Sequence, residues 1–207
     1  MGEVPGLRER KKLRTRHALI SGALRLFLEK GYEQTTISEI AMAADVSTRT
    51  FFSYFASKEE VVLCDARESL DRLLRTFAER RPDEGPADLL ARAVETIFET
   101  LAEDAEMGWE ITEINRLVMS VPSLRAQALL LMFDVQHQMV EALQDAFPGE
   151  LDGVEACAAV GSVVGTAKLA ISMGLKQGGP AEEVLQGCRR AVGLALAGLR
   201  AVPPFES

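Results

Sequence analysis

One stretch, residues 35–62, constrains the fold more than any other part of the chain. It reads TTISEIAMAADVSTRTFFSYFASKEEVV. Thr36 followed by Glu39 has the spacing of a capping box, in which the hydroxyl and the carboxylate bind backbone N–H groups at the start of a helix. Ser47 and Ser57 are also residue types that cap helices. The stretch therefore predicts two short helices joined by a tight turn, followed at once by the start of a third.

Helical periodicity continues over the rest of the chain, and the alternation typical of strands is almost absent. In the first helix Leu13, Ile20, Ala23, Leu24 and Phe27 recur at three- and four-residue steps and predict a core-facing stripe. The fold class is therefore all-α with about nine helices: a three-helix N-terminal helix-turn-helix head and a larger C-terminal helical body. The predicted helices cover about 7–30, 36–44, 48–55, 58–81, 87–104, 109–120, 122–147, 151–177 and 182–201. The predicted domains are residues 1–60 and 61–207.

Charge is distributed unevenly between these two parts. The whole chain carries 23 Lys and Arg against 31 Asp and Glu, a net charge of −8. Residues 1–58 hold ten basic and six acidic residues, a net of +4, whereas residues 59–207 hold thirteen and twenty-five, a net of −12. Because the positive charge is gathered at one end, the sequence indicates a local nucleic-acid surface on a body that repels phosphate.

The second short helix has the two faces that the DNA major groove requires. Val46, Phe51 and Phe55 are placed to anchor it to the core. Its polar side chains are expected to point outward, and they are Ser47, Thr48, Arg49, Thr50, Ser53 and Tyr54. Arg49 is the first candidate for a base contact, because arginine binds guanine through two hydrogen bonds.

Further DNA contacts are expected at helix starts and in a basic arm. Thr36 and Lys58 lie where backbone N–H groups and a side chain can hold phosphates together. The arm RERKKLRTR precedes this region. We expect Arg10, Lys11 and Arg14 to contact phosphates or an adjacent minor groove, as N-terminal arms do.

These residues resemble the DNA-binding signature of the TetR family of transcriptional regulators. The matching positions are Thr35, Thr36, Ile37, Ile40, Ala41, Ala44, Val46, Ser47, Thr50, Phe51, Tyr54, Phe55, Lys58 and Glu59, with Phe27 and Gly31-Tyr32 upstream. The chain departs from the signature at Asp45, where glycine is common, and at Phe52, where tyrosine is common. Asp tolerates positive φ better than most residues, whereas Phe52 lacks a hydroxyl for phosphate. The run RTFFSYFASKE is similar to a branch that includes regulators of acyl-CoA-like ligands.

The resemblance implies a homodimeric regulator whose body binds a small effector and releases DNA. It implies a repressor that binds a palindromic double-stranded DNA operator. It also implies that the helix over residues 58–81 transmits movement of the body to the head. Small residues in 151–177 and the apolar side of 182–201 predict that about 151–201 forms the homodimer interface, although they also fit an ordinary core.

The middle helices are rich in Met and aromatic residues, which predicts either core packing or an apolar pocket. The candidate ligand-binding residues are Phe98, Trp109, Arg116, Met119, Phe133 and His137. They predict a small hydrophobic effector. The alternative is a DNA-binding dimer that senses nothing and whose body is only a scaffold.

Other function classes have little support in the sequence. No spacing of His and Cys suits a metal, no nucleotide-binding glycine motif is present, and no nucleophile motif predicts an enzyme. We therefore expect no metal site, no cofactor and no catalysis. Cys64, Cys157 and Cys188 are widely spaced, which predicts buried thiols in a reducing cytoplasm. No uninterrupted apolar run reaches about 20 residues, so no membrane partner is expected.

Overall fold

A computed structural model describes residues 6–103 and 105–201, with the side chains of residues 7, 9, 65, 66 and 100–112 excepted. Within this part of the chain there are nine helices and no strand, which confirms the all-α prediction. The helices are α1 (Leu7–Lys30), α2 (Ile37–Ala43), α3 (Thr48–Phe52), α4 (Lys58–Ala78), α5 (Pro86–Glu103), α6 (Ala105–Ser120), α7 (Pro122–Ala146), α8 (Gly153–Lys176) and α9 (Ala181–Ala201).

The chain divides into two compact units. The first comprises residues up to Asp65 together with Glu113–Ala126, and the second comprises Ala66–Thr112 with the remainder from Gln127. α4 begins in the first unit and continues in the second. The functional division into residues 1–60 and 61–207 stays a prediction, because compact units report packing and not function.

The first unit is built on one side of α1. Ile20, Ala23, Leu24 and Phe27 are all buried, as their spacing predicts. Leu13 was expected in the same stripe, but 48% of it is exposed. The prediction was wrong there because residues 10–14 of α1 are all exposed, so the buried stripe begins only further along the helix.

The second unit has a continuous core from five helices. Phe77 of α4, Leu89 and Leu90 of α5, and Leu143 of α7 are fully or almost fully buried. The buried members of this core are Leu70, Phe77, Leu89, Leu90, Ala93, Met139, Leu143, Phe147, Ala156, Ala159, Val160, Val163, Cys188, Val192 and Leu196. Burial of large apolar side chains at about 25 cal/mol per Å² is the main term that holds such a bundle together.

A half-buried ion pair fixes the connection between α4 and α5. Arg92 Nε donates to Glu84 Oε1 at 2.7 Å and its Nη2 donates to Oε2 at 2.8 Å. The same Nη2 lies 3.1 Å from the carbonyl oxygen of Glu79, and the backbone N–H of Arg81 also donates to Glu84. The Arg92 guanidinium lowers the pKa of Glu84 to about 2. The carboxylate is thereby satisfied, and the same guanidinium also donates to the carbonyl of Thr76 in the last turn of α4 at 3.3 Å.

α8 and α9 form a hairpin whose outer surface is unusually apolar. Val154 and Leu169 of α8 are 78% and 68% exposed, and Leu194 of α9 is 73% exposed. α8 is long and apolar enough to cross a membrane by length and composition, with a mean hydropathy of 1.5 over its most apolar window. Core helices of soluble proteins share these properties. Glu155 and Lys168 interrupt the run, so no uninterrupted apolar stretch of about 20 residues is present, and the expectation of no membrane partner stays a prediction.

The three cysteines do not share one environment. Cys64 and Cys188 are buried, as predicted, and burial raises the pKa of the Cys188 thiol to about 11. Cys157 is exposed on α8, so the prediction of a buried thiol was wrong at this position. It lies one turn beyond Val154, on the outer surface of the hairpin.

Candidate DNA-binding site

The start of α2 is fixed by the predicted capping box. Glu39 N donates to Thr36 Oγ1 at 3.3 Å, and Thr36 N donates to Glu39 Oε2 at 2.9 Å. Lys30, at the end of α1, forms an ion pair with Glu39. The hydrogen bond from Lys30, with those from Thr36, lowers the pKa of Glu39 to about 2. Thr36 therefore orders the helix, while its exposed position leaves its contact with phosphate a prediction.

The turn between α2 and α3 is closed by backbone hydrogen bonds. Val46 N donates to the carbonyl of Ala41 at 2.9 Å, and Asp45 N donates to that of Met42 at 3.1 Å. Asp45 has φ of 55°, which confirms the positive φ expected where the family commonly has glycine. Asp is one of the few residues other than Gly that adopt this conformation at modest cost.

α3 has one buried face and one polar face. Phe51 and Phe55 are almost fully buried, with ring centroids 5.8 Å apart, while Val46 is half-buried. Ser47 caps the helix, because its Oγ accepts from Thr50 N at 3.0 Å. Phe51 and Phe55 thus anchor a helix that is too short to be stable alone.

The predicted base-reading side chains differ in whether they form hydrogen bonds within the chain. Ser47 Oγ and Thr50 Oγ1 lie 2.9 Å apart, and Ser53 Oγ donates to the carbonyl of Thr50 at 2.6 Å. Thr48 and Arg49 are exposed. Arg49 is thus the long cationic side chain that α3 presents outward, and its role as base reader stays a prediction.

Two further aromatic residues lie at the end of α3 and just beyond it. Phe52 is 56% exposed and its ring meets the edge of Phe51, with centroids 5.5 Å apart. Tyr54 is half-buried. Phe52 therefore keeps the ring contact expected at its position, and it offers an apolar surface where a hydroxyl would otherwise lie.

Lys58 is directed toward its own unit. Its Nζ donates to the carbonyl of Tyr32 at 2.9 Å and lies 4.2 Å from the centroid of the Tyr32 ring. Next to it Glu59 Oε1 accepts from Tyr32 Oη at 2.7 Å, and burial together with this carboxylate raises the pKa of Tyr32. The first turn of α4 is thus held to the α1–α2 loop. Sequence reasoning assigned Lys58 to phosphate and missed this pairing, because it joins residues 26 positions apart.

The basic arm is helical in its described residues. Arg10, Lys11 and Arg14 lie in the first turns of α1 and are exposed. Arg16, further along, lies over the ring of Phe55 at 5.6 Å. The arm therefore adds positive charge to the unit that carries α3, and its contact with a phosphate or a minor groove stays a prediction.

No single site in the described part of the chain contains all the candidate ligand-binding residues. Arg116 forms an ion pair with Glu113, and it belongs with Met119 to the first unit. In the second unit Phe98 is half-buried and Phe133 is exposed. His137 is exposed there, and its Nδ1 lies 2.9 Å from the carbonyl oxygen of Phe133. The side chain of Trp109 lies outside the described residues. Their ligand role stays a prediction.

Comparisons with known proteins agree with this geometry. The family described as "Bacterial regulatory proteins, tetR family" matches residues 19–63. The transcriptional regulator TcmR of Streptomyces glaucescens is 40% identical over 129 residues, which are 60% of this chain and 57% of TcmR. The chain therefore spans a little over half the length of this relative.

Two solved structures share the fold. The complex of SmeT, from Stenotrophomonas maltophilia, with triclosan has a TM-score of 0.60 at 19% identity, over 89% of this chain and 90% of that one. FadR of Bacillus subtilis in complex with stearoyl-CoA has a TM-score of 0.57 at 18% identity, over 88% and 98%. At these identities the likeness concerns the fold alone. With the family match and the helix-turn-helix geometry, it leads to one conclusion: the chain belongs to the TetR family of transcriptional regulators.

Proposed function

We propose that the protein regulates transcription by binding a palindromic DNA operator as a homodimer, and that a small hydrophobic effector releases it. Repression is the proposed direction of control, and the cytoplasm is the proposed location. The observation that carries DNA binding is the two-faced α3, which buries Phe51 and Phe55 and leaves Thr48 and Arg49 exposed. A short helix supported in this way is the part of a helix-turn-helix that enters the major groove.

DNA binding is tested by selecting bound fragments from a random duplex pool, followed by affinity measurements on the selected site. We expect a palindrome, because a two-fold symmetric protein places its two recognition helices about 34 Å apart. Arg49→Ala should weaken binding by about 10- to 100-fold and relax the preference at one base per half-site. The control is Arg75→Ala, which removes an exposed cation of the second unit. No enrichment of any sequence at low salt would contradict the proposal.

The basic arm is tested separately, because phosphate contacts carry no sequence information. Replacing Arg10, Lys11 and Arg14 by alanine should weaken binding to all duplexes. It should also reduce the slope of log K against log salt by about three, one for each lost phosphate contact. An unchanged slope would remove the arm from the interface.

Homodimerisation is supported by the outer surface of α8 and α9. Val154, Leu169 and Leu194 expose apolar area there, and Gly161 and Gly165 leave room for close approach of another helix. Exposed apolar patches on this scale mark interaction surfaces. Sedimentation equilibrium of the full chain should give twice the mass of 22.6 kDa. A monomer across micromolar concentrations would contradict this part of the proposal.

The effector class is supported by what the two solved neighbours bind, triclosan and stearoyl-CoA, each of which has a large apolar part. Thermal melting of the full chain against triclosan, stearoyl-CoA and shorter acyl-CoAs tests it. A ligand at 100 times its Kd should add about 2.7 kcal/mol of stability by mass action. It should also weaken DNA binding if it has unequal affinity for the two states. No stabilisation by any compound would favour the scaffold alternative.

Coupling between the two units is proposed to run through α4, which is one continuous helix on both sides of residue 65. The predicted ligand residues Phe98, Phe133 and His137 are first choices for substitution. Alanine variants that lose ligand-dependent stabilisation while keeping DNA affinity would assign them to the effector site.

A further inference from the structure

The first half of α9 carries four charged residues, and two of them form hydrogen bonds within the chain. Gln186 Nε2 donates to Glu182 Oε1 at 3.1 Å. Arg189 Nη2 donates to Glu95 Oε1 at 2.5 Å. Within residues 6–103 and 105–201, no hydrogen bond or ion pair is found for the side chains of the other two, Glu183 and Arg190.

Glu183 and Arg190 line one groove between the end of α8 and the start of α9. Its volume is about 460 Å³. The residues around it are Ala170, Met173, Gly174, Gln177, Gly179, Glu183, Val184, Gln186, Gly187 and Arg190. Met173 is half exposed at its edge. The groove thus combines an apolar floor with one acidic and one basic side chain.

These residues continue the apolar surface proposed above for the dimer. Glu183, Gly187, Arg190 and Leu194 follow one another at steps of four, three and four residues, so they lie on one face of α9. Leu194 is the most exposed large apolar residue of this helix, at 73%. A Cβ atom built on Gly187 meets nothing within 4 Å in its own chain.

The order of charges along this face makes it complementary to itself. Two copies of a helix related by a perpendicular two-fold axis run antiparallel, so residues equally far from the axis on opposite sides meet. Glu183 lies four residues before Gly187 and Arg190 lies three residues after it. An axis near Gly187 therefore places each Glu183 opposite the Arg190 of the second copy. The missing side chain at Gly187 lets the two helices approach at the crossing point.

On this basis we propose that the α8–α9 groove receives α9 of a second copy of this chain, with the two helices crossing at Gly187. Two Glu183–Arg190 pairs, one on each side of the axis, then fix the register. The inference rests on the proposed homodimer and names the residues that align it. Charge pairs of this kind select partner and register more than they add affinity, because an axis at Glu183 or at Arg190 would bring like charges together and other shifts would leave the charges unpaired.

Charge reversal tests the register. Glu183→Arg and Arg190→Glu should each raise the dissociation constant of the dimer by about tenfold, because each places two like-charged contacts about the axis. The double variant Glu183→Arg/Arg190→Glu should return to within about threefold of the original protein, since both pairs form again with reversed sign. The measurement is sedimentation equilibrium at low salt, with helical content checked by circular dichroism.

The matched control is Glu182→Arg, which makes the same change of charge one residue earlier but on a different face of α9. It should leave the dissociation constant within about twofold. Two outcomes overturn the inference: single variants that dimerise as well as the original protein, or a double variant that stays as weak as the singles. A protein that is monomeric before any substitution overturns the homodimer itself, so the two failures are distinguishable.

Cross-linking tests the crossing point independently. In a Cys157→Ser background, Gly187→Cys should be joined to its copy by a short bismaleimide. Gly198→Cys lies on the same face eleven residues further along, so its two copies would be about 33 Å apart at 1.5 Å per residue and should not react. Cross-linking through position 198 and not through 187 would place the axis elsewhere and overturn the inference.

Discussion

The α2–α3 hairpin of the first unit and the α8–α9 hairpin of the second are both pairs of helices joined by a short turn. They differ in which side chains they bury and which they expose. In α2–α3 the anchoring aromatics are buried and the capping hydroxyls are bonded within the chain. In α8–α9 more of the large apolar side chains face outward: Val154, Leu169, Met173 and Leu194, against Met42 and Phe52 in α2–α3. The first hairpin buries its anchoring aromatic residues within the chain. The second exposes an apolar surface that is typical of an element that packs against another chain.

This difference supports the two binding surfaces proposed above. A surface for DNA must stay polar and hydrated before binding, because the duplex offers phosphates and base edges. A surface for a second protein chain gains from apolar area and small residues. The comparison therefore supports the proposal that the polar hairpin binds nucleic acid and the apolar hairpin binds a second copy of the chain, in agreement with the net charges of the two parts of the sequence.

The largest expected effect separates the buried and exposed aromatics of α3. Phe51 is fully buried and Phe52 is 56% exposed, although they are adjacent. Phe51→Ala should lower the free energy of unfolding of the first unit by about 3–5 kcal/mol through lost burial and a cavity. Phe52→Ala should cost less than about 1 kcal/mol. Urea unfolding followed by circular dichroism measures both, and equal losses would mean that α3 is not anchored by one face.

The site on α2–α3 could be predicted in detail because its signals are local. The capping box at Thr36, the cap at Ser47 and the positive φ at Asp45 are each set by residues within three positions of one another. By contrast, Lys58 bonds to Tyr32 across 26 positions, and no periodicity indicates such a pair. Sequence reasoning therefore placed Lys58 at the start of α4 correctly and could not derive the contact of its ammonium group.

The body was predictable only as a set of helices. Periodicity marks which face of α8 or α9 is apolar, but it does not say whether that face packs within the chain or against a second one. Leu194 and Val192 are equally apolar, and only the structure shows that the first is exposed and the second buried. Leu13 was wrongly predicted to be buried for the same reason, since the apolar stripe continues into the exposed start of α1.

The next expected effect tests whether polar groups inside the second unit are as well paired as the capping groups of the first. Glu84→Gln removes a buried carboxylate that binds Arg92 through both oxygens, and it should lower the free energy of unfolding by about 2 kcal/mol at pH 7. Because the pKa of Glu84 is lowered to about 2, the contribution is complete above the ordinary carboxyl pKa of about 4.3 and is lost as pH falls toward 2.

The matching measurement is urea unfolding of both proteins at pH 7 and pH 3. The difference between them should shrink at pH 3, where the unfolded carboxyl group is protonated but the native one is still largely charged. Arg92→Lys keeps the charge and loses the two-pronged geometry, so it should fall between the original protein and Glu84→Gln. A difference that does not change with pH would show that Glu84 acts through shape and not charge.

A smaller effect addresses the apolar surface of the second hairpin. Leu194→Glu should raise the dissociation constant of the dimer by about tenfold, since a charge would enter an apolar contact. The free energy of unfolding of the monomer should change by less than about 0.5 kcal/mol, because the side chain is exposed. Leu13→Glu, on an exposed apolar residue of the first unit, is the control and should leave the dimer unchanged. Equal dimerisation of Leu194→Glu would remove this surface from the interface.

The smallest expected effect lies at the turn of the first hairpin, where Asp45 has φ of 55°. Glycine adopts this conformation without a clash, but it also gives the unfolded chain more freedom, and the two effects oppose each other at about 0.5–1 kcal/mol each. Asp45→Gly should therefore change the free energy of unfolding by less than about 0.5 kcal/mol. Asp45→Ala keeps the clash of Cβ and loses the greater tolerance of Asp for positive φ, so it should cost about 1 kcal/mol. Urea unfolding of the three proteins measures these differences. A gain above about 1 kcal/mol in the free energy of unfolding from glycine would show that the turn is strained, and that the first hairpin is less stable than its buried aromatic residues indicate.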